Sequence, residues 1–132
     1  MRSIVVDTNV IVSAALSGTG KPAEIVRLIS TGKLCLHFSE AILAEYTEVL
    51  SRSKFKISPE IQADIIMTIQ DNGVMVSPAT STIPLPDGTD RKFYDAAREA
   101  GATLITGNTK HFPMEPFVVN PAQFLASIET DS

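Results

Sequence analysis

The sequence predicts a single α/β domain: a central, mostly parallel sheet of four to five strands with helices on both faces. Three observations lead there. A β-branched run near the start, Ile4-Val5-Val6, reads as a strand buried on both faces, as in the middle of a parallel sheet. Short apolar runs then alternate with helical periodicity along the whole chain, the pattern of βαβ units. Finally, 132 residues with 44% hydrophobic and 20% charged side chains suffice for one domain that buries its core without staples. No internal repeat, low-complexity tract or domain boundary interrupts residues 1–132.

The first strand ends on Asp7, and Thr8 and Asn9 follow with side chains that cap helices. Val10 to Leu16 reads as the first helix, broken by Ser17-Gly18-Thr19-Gly20. Lys21 follows that loop, but neither the glycine spacing nor a preceding strand matches a phosphate-binding loop. Pro22 suits the first turn of a second helix that buries Ile25, Val26, Leu28 and Ile29. Thr31-Gly32-Lys33 closes it, and Leu34 to Phe38 is a second strand.

Ser39 caps a third helix running to about Leu50, with Ile42, Leu43, Tyr46, Val49 and Leu50 as its apolar stripe. A small basic patch, Arg52-Ser53-Lys54-Phe55-Lys56, comes next. Pro59 starts a fourth helix through about Gln70, and Asp71-Asn72-Gly73 turns into Val74-Met75-Val76. Three prolines (Pro78, Pro84, Pro86) make the stretch from Ser77 to Thr89 extended loop. A fifth helix from Thr89 to Ala100 is stopped by Gly101. Thr103 to Thr106 is a buried strand with the loop Gly107-Asn108-Thr109-Lys110-His111 at its carboxyl end, Phe117 to Val119 is a last short strand, and Pro121 opens a terminal helix.

The totals narrow the function. A lone cysteine, Cys35 in Leu34-Cys35-Leu36, excludes an internal disulfide and reads as a small buried hydrophobe in a reducing cytosol. No apolar run approaches the ~20 residues of a membrane span, and no leader pattern opens the chain. The expectation is a cytoplasmic protein with no membrane partner. A net charge of −4 removes any inference of nucleic-acid binding from overall basicity and leaves only local patches to carry it.

Three acids stand out. Asp7 follows an apolar strand, where a carboxylate needs a metal, a cation or backbone donors to offset burial; capping the next helix is the plain alternative. On a helical wheel at ~100° per residue, Glu45 lies about 40° from Val49 and about 60° from Ile42, at the edge of the apolar stripe. Glu48 and Glu40 point elsewhere, so Glu45 is the acid of this helix that can reach inward; a solvated helix-edge glutamate is the plain alternative. Asp90 begins the fifth helix near the side formed by Phe93, Ala96, Ala97 and Ala100, where helix-end electrostatics alone would justify an acid. Asp95 is expected to face solvent, and Asp87 to serve as a turn or cap residue. Two carboxylates ~4 Å apart repel by about 4 kcal/mol at an effective dielectric near 20. Gathering three therefore implies a cation, and oxygen donors suit Mg2+ or Mn2+. His37 and His111, distant in sequence and without a cysteine pair, do not make a zinc pattern.

These residues resemble a known family. Asp7-Thr8-Asn9-Val10, Glu45 within Ala44-Glu45-Tyr46-Thr47-Glu48-Val49-Leu50, Asp90 ahead of Phe93 and Ala96-Ala97, and Thr106-Gly107-Asn108 resemble, in order and spacing over about residues 3–120, the PIN-domain nucleases. Within that family the chain is similar to the small stand-alone toxins of toxin–antitoxin pairs, of which the VapC type is best known. The resemblance implies a metal-dependent endoribonuclease with Asp7, Glu45 and Asp90 as catalytic, metal-binding acids. It makes Asn9 a polar residue hydrogen-bonding within the site and Thr106 a nearby hydroxyl. It also implies a homodimer and an antitoxin protein as partner. The chain departs from the pattern at Asn108, where many members carry a fourth aspartate; an amide oxygen can bind Mg2+ but brings no charge.

The expected chemistry is Mg2+-assisted (or Mn2+-assisted) in-line attack of water on an RNA phosphodiester, leaving a 5′-phosphate and a 3′-hydroxyl. Substrate would be held by local cations: Lys110 and His111 first, then Arg91 and Lys92, with Arg52, Lys54 and Lys56 on another side. Three alternatives compete. A haloacid-dehalogenase-type phosphohydrolase needs an aspartate where Asn9 stands. A receiver domain needs a phosphoacceptor aspartate where the second strand ends on Ser39-Glu40. The third is a PIN-like module that has lost cleavage and only docks RNA or a partner protein.

Overall fold

The computed structural model describes residues 2–85 and 88–130; the expectation for Asp87 falls outside the described residues. These form five strands, β1 (Arg2–Val6), β2 (Leu34–Phe38), β3 (Val74–Met75), β4 (Thr103–Ile105) and β5 (Val118–Val119). Six α-helices accompany them: α1 (Thr8–Leu16), α2 (Lys21–Ser30), α3 (Glu40–Leu50), α4 (Pro59–Asn72), α5 (Arg91–Ala100) and α6 (Pro121–Thr130). All strands are parallel, in the order β3-β2-β1-β4-β5. The α/β expectation holds.

β1 is central because its last three residues present no side chain that needs water. Ile4, Val5 and Val6 are each 0% exposed, and Ile4 pairs with Leu36 on one side and Thr103 on the other. The chain leaves β1 toward β2 in one direction and later reaches β4 on the opposite side. Right-handed crossovers then put α1 and α2 on one face and α5 on the other. α5 lies along β1, β2 and β4, whereas α2 packs on β2, α1, α4 and α6. The strand order therefore reverses between β1 and β4, and a crevice opens beyond their carboxyl ends.

Local sequence explains the helix starts. Ser39 Oγ accepts the Ile42 N–H at 3.2 Å and Ser58 Oγ accepts the Ile61 N–H at 3.3 Å, capping α3 and α4. Pro22 and Pro59 sit in the first turns of α2 and α4, where a missing N–H costs nothing. The predicted stripe of α3 is inward, with Ile42, Tyr46 and Leu50 fully buried and Leu43 and Val49 partly so. A 3-10 turn at Gly88–Asp90 precedes α5, which ends at Gly101 with φ +62°.

Two expectations are corrected. Asp95 is buried, 7% exposed, because residues 77–85 pass over its side of α5. Its Oδ2 accepts the Ser81 N–H at 3.1 Å, while Arg91 Nη1 donates to Ser81 O and Oγ, both at 2.9 Å. Cys35 is only half-buried, since Leu34, Leu36 and Phe38 take the covered face of β2 and leave Cys35 and His37 on the other. Its Sγ lies 3.6 Å from His37 Nε2. Among the described residues no helix is long and apolar enough to cross a membrane.

Candidate active site

Asp7 stands at the point where β1 gives way to α1. Its backbone N–H still bonds Ile105 O at 2.9 Å, extending the β1–β4 ladder, and its carbonyl accepts from Val10 N at 3.0 Å, starting the helix. It occupies the N-cap position of α1, yet its side chain makes no capping bond. Instead Oδ2 accepts from Thr106 Oγ1 at 2.7 Å and from Asn9 Nδ2 at 3.3 Å. The plain reading of Asp7 as a helix cap is not what this carboxylate does.

Thr106 continues β4 and is fully buried. Its backbone N–H bonds Val119 O at 2.9 Å, which fixes it to β5. Its hydroxyl also accepts the Asn108 N–H at 3.0 Å, so the proton it carries is aimed at Asp7. Asn9 uses both ends of its amide, since Oδ1 accepts the Gly107 N–H at 3.1 Å. A Cβ on residue 107 would stand 3.3 Å from that oxygen, tighter than most real contacts, and glycine keeps the approach open. The two strand ends are thus latched together around one carboxylate.

The electrostatics follow from this placement. Burial, opposed by the Thr106 hydrogen bond and reinforced by the charges of Asp90 and Glu45, raises the Asp7 carboxyl from 3.8 to about 6. Glu45 reaches the same crevice from α3, as the wheel anticipates. Thr8 Oγ1 donates to Glu45 Oε2, and Lys92 Nζ lies 2.8 Å from Glu45 Oε1. Asp90, at the N-terminus of α5 and also without a side-chain capping bond, has its Oδ2 3.4 Å from His111 Nδ1. Below them, buried Tyr46 donates its hydroxyl to Val6 O. Burial, with Asp7 and Glu45 nearby, holds that phenol well above its usual range.

The remaining candidates divide. Asn108 Nδ2 is 2.9 Å from His111 Nε2, so the loop after β4 is tied through His111 to Asp90. Lys110 is exposed on the same loop. Arg91 is turned away to Ser81, and Lys92 is engaged with Glu45. Arg52 is held by Glu48, Nε to Oε1 at 3.1 Å and Nη2 to Oε2 at 2.9 Å, and Lys54 sits over the Phe55 ring. Glu40 and Glu48 are exposed, as expected. Among the described residues no three His, Cys, Asp or Glu side chains are gathered closely enough to enclose a metal ion; Lys92 stands against Glu45 and His111 against Asp90. Sequence reasoning misses Thr8 and Tyr46 as parts of this site, because a capping threonine and a stripe aromatic each have a sufficient local explanation.

Comparison with known proteins gives the family of this fold. A family model described as PIN domain matches residues 3–110, which spans β1, the acids and the loop after β4. The chain is also 30% identical over 115 residues to the uncharacterized protein MJ1680 of Methanocaldococcus jannaschii, covering 80% of this chain and 70% of that one. The stretch that the family model matches runs from the first strand to the latch around Asp7, and on that ground the chain belongs to the PIN-domain family, whose members are generally nucleases.

Proposed function

We propose that the protein is a Mg2+-dependent or Mn2+-dependent endoribonuclease that hydrolyses RNA phosphodiester bonds and serves as the toxin of a toxin–antitoxin pair. The observation that carries this reading is Asp7. Its carboxylate is 6% exposed and burial raises it to about 6, and a cation bound there would offset that burial.

The chemistry of the donors suits a hard divalent cation, although the acids do not enclose one as they stand. Asp7, Asp90 and Glu45 would hold it, with the Asn108 amide oxygen as a neutral further donor, and all are oxygen ligands. When bound, such a metal supplies charge stabilisation at the scissile phosphate and acidifies water. The chain's own residues do the rest. Thr106 and Asn9 hold the Asp7 carboxylate by its Oδ2. Glu45, oriented by Thr8, is the carboxylate that can accept a proton from the attacking water at Oε1 once Lys92 withdraws. Lys110 and His111, on the exposed loop beside Asp90, bind the phosphates flanking the cut. In-line attack in this setting leaves a 5′-phosphate and a 3′-hydroxyl.

The toxin role, an antitoxin protein that blocks the crevice and a homodimer belong to the same proposal, and a small DNA-binding protein encoded beside this chain would support the first two. One observation favours a second reading. Glu45 already has a cation in Lys92 at 2.8 Å, as a PIN-like module that binds RNA or a partner without cutting would retain. Incubation with a mixed-sequence RNA in Mg2+, Mn2+ or EDTA separates the two. Cleavage that needs the metal and vanishes in Asp7→Asn supports the nuclease; binding without metal-dependent cleavage supports the module.

A further inference from the structure

The placement of Lys92 assigns a role beyond substrate contact. Its ammonium is 2.8 Å from Glu45 Oε1 and 2.5 Å from Thr89 O. It therefore ties α3 to the turn that carries Asp90 into α5. The pair is partly shielded, with side-chain exposures of 22% for Lys92 and 28% for Glu45. Thr8 Oγ1 occupies the other Glu45 oxygen. Both carboxylate oxygens of Glu45 are thus engaged by the chain itself, one of them by a full positive charge.

A lysine at this spot is not explained by ordinary surface pairing. It follows Asp90 by two residues in sequence, lies over Phe93, 5.5 Å from the ring centroid, and pairs with one of the two acids, Asp90 and Glu45, whose charges raise the Asp7 carboxyl. Among the described residues, Lys92 is the lysine whose ammonium stands within ion-pair distance of one of these acids. The chain has placed a monovalent cation where a divalent one would otherwise be needed to keep the acids together.

We propose that Lys92 is the resident counter-ion of the crevice: it neutralises Glu45 in the metal-free protein and is displaced when a divalent cation binds. Metal affinity is then set by competition with a side chain of α5, and the released ammonium becomes available to a substrate phosphate. This rests on the reading of the crevice as a metal site. It adds that the site is internally inhibited, loading only at metal concentrations that outcompete Lys92.

The test is a calorimetric Mn2+ titration of the full chain, its Lys92→Gln and Lys92→Arg variants, and Asp7→Asn, with thermal melting in EDTA. Lys92→Gln is expected to bind Mn2+ about tenfold more tightly than the wild type and to melt lower in EDTA. Lys92→Arg, which keeps the charge, should bind no more tightly than the wild type. Unchanged or weaker binding in Lys92→Gln overturns the inference while leaving the metal site intact. Identical titrations of the wild type and Asp7→Asn would overturn the metal reading and this inference with it. Should Lys92→Gln fail to fold, Mg2+ titration of wild-type protein carrying 13C-labelled lysine answers instead. The Lys92 Cε resonance should move toward the free-lysine position with the midpoint of metal binding, and a resonance that stays fixed through saturation refutes displacement.

Discussion

Thr106 Oγ1 donates to Asp7 Oδ2 at 2.7 Å across 99 residues of sequence, and this bond joins the ends of β1 and β4, the two parallel strands between which the strand order reverses. The same hydroxyl oxygen accepts the Asn108 N–H at 3.0 Å, so Thr106 acts as donor to one partner and acceptor to the other. Thr106→Val preserves shape and removes both interactions, leaving a buried carboxylate and a backbone N–H without their partner. The expected loss is ~1–3 kcal/mol in urea unfolding at pH 7. Thr106→Ser, which keeps the hydroxyl, should recover most of it. Equal stability of the valine variant and the wild type would show that the latch is not energetically coupled to Asp7.

Asp7 makes the metal-free protein weaker at neutral pH than in mild acid. Its carboxyl titrates near 3.8 when unfolded and near 6 when folded, so between those values the folded chain binds more protons. The stability this group contributes is full below the lower value and is lost as pH rises through the upper one. At about 1.4 kcal/mol per pH unit, the loss is about 3 kcal/mol. Asp7→Asn should therefore be the more stable protein in EDTA at pH 7.5, by about 1–3 kcal/mol, with the gap narrowing to about a third of that near pH 4.5. Urea midpoints at the two pH values check it; a variant destabilised equally at both would contradict the burial argument.

What the sequence reveals and what it hides divide along a physical line. Asp7, Glu45 and Asp90 are legible because each is placed by its own element: a strand end, a helical angle, a first turn. The sheet is legible for the same reason, since Ile4-Val5-Val6 admits no solvent face. The pairings between elements are not legible. Nothing in the periodicity of α5 tells that residues 77–85 return across Asp95, or that Lys92 is matched to Glu45 on α3 and Arg91 to Ser81. Cys35 is misjudged because Leu34-Cys35-Leu36 looks uniformly apolar, while strand alternation puts the middle residue on the less covered side.

The clamp on Ser81 should hold residues 77–85 in place. Asp95 takes its N–H while Arg91 takes its carbonyl and hydroxyl, so α5 grips one residue of an otherwise irregular connection from both sides. Asp95→Ala should cost ~1–3 kcal/mol and speed proteolysis within this segment several-fold, with Asp95→Asn much milder because an acceptor remains. Undiminished protease resistance of the alanine variant would mean the segment is held by its apolar contacts instead.

Gly73 marks the closest approach of α4 to β2. A Cβ there would lie 2.5 Å from Ile69 O, 2.7 Å from Phe38 Cε1 and 3.0 Å from Leu36 O. Two of those three atoms are backbone and cannot swing aside. Gly73→Ala should destabilise by ~1–3 kcal/mol through overpacking, seen as a lower melting temperature. Gly18, around which nothing stands within 4 Å, is the control, and Gly18→Ala should stay within about 0.5 kcal/mol of the wild type.

Asn108 tests how far the crevice extends along the loop after β4. Its amide nitrogen is 2.9 Å from His111 Nε2, and the opposite ring nitrogen is 3.4 Å from Asp90 Oδ2. Residue 108 thus reaches Asp90 through an imidazole. Asn108→Asp places a fourth carboxylate on this relay, adding negative charge next to the acids without changing side-chain size. If the side chain faces the bound metal, Mn2+ affinity should rise, by several-fold or more, since an ionised oxygen replaces a neutral one. In EDTA the same variant should be less stable at low ionic strength, and salt should narrow the difference as screening weakens the repulsion. Affinity that does not move, measured by calorimetry on folded protein, would place Asn108 outside the metal's reach and leave its role as the partner that orients His111.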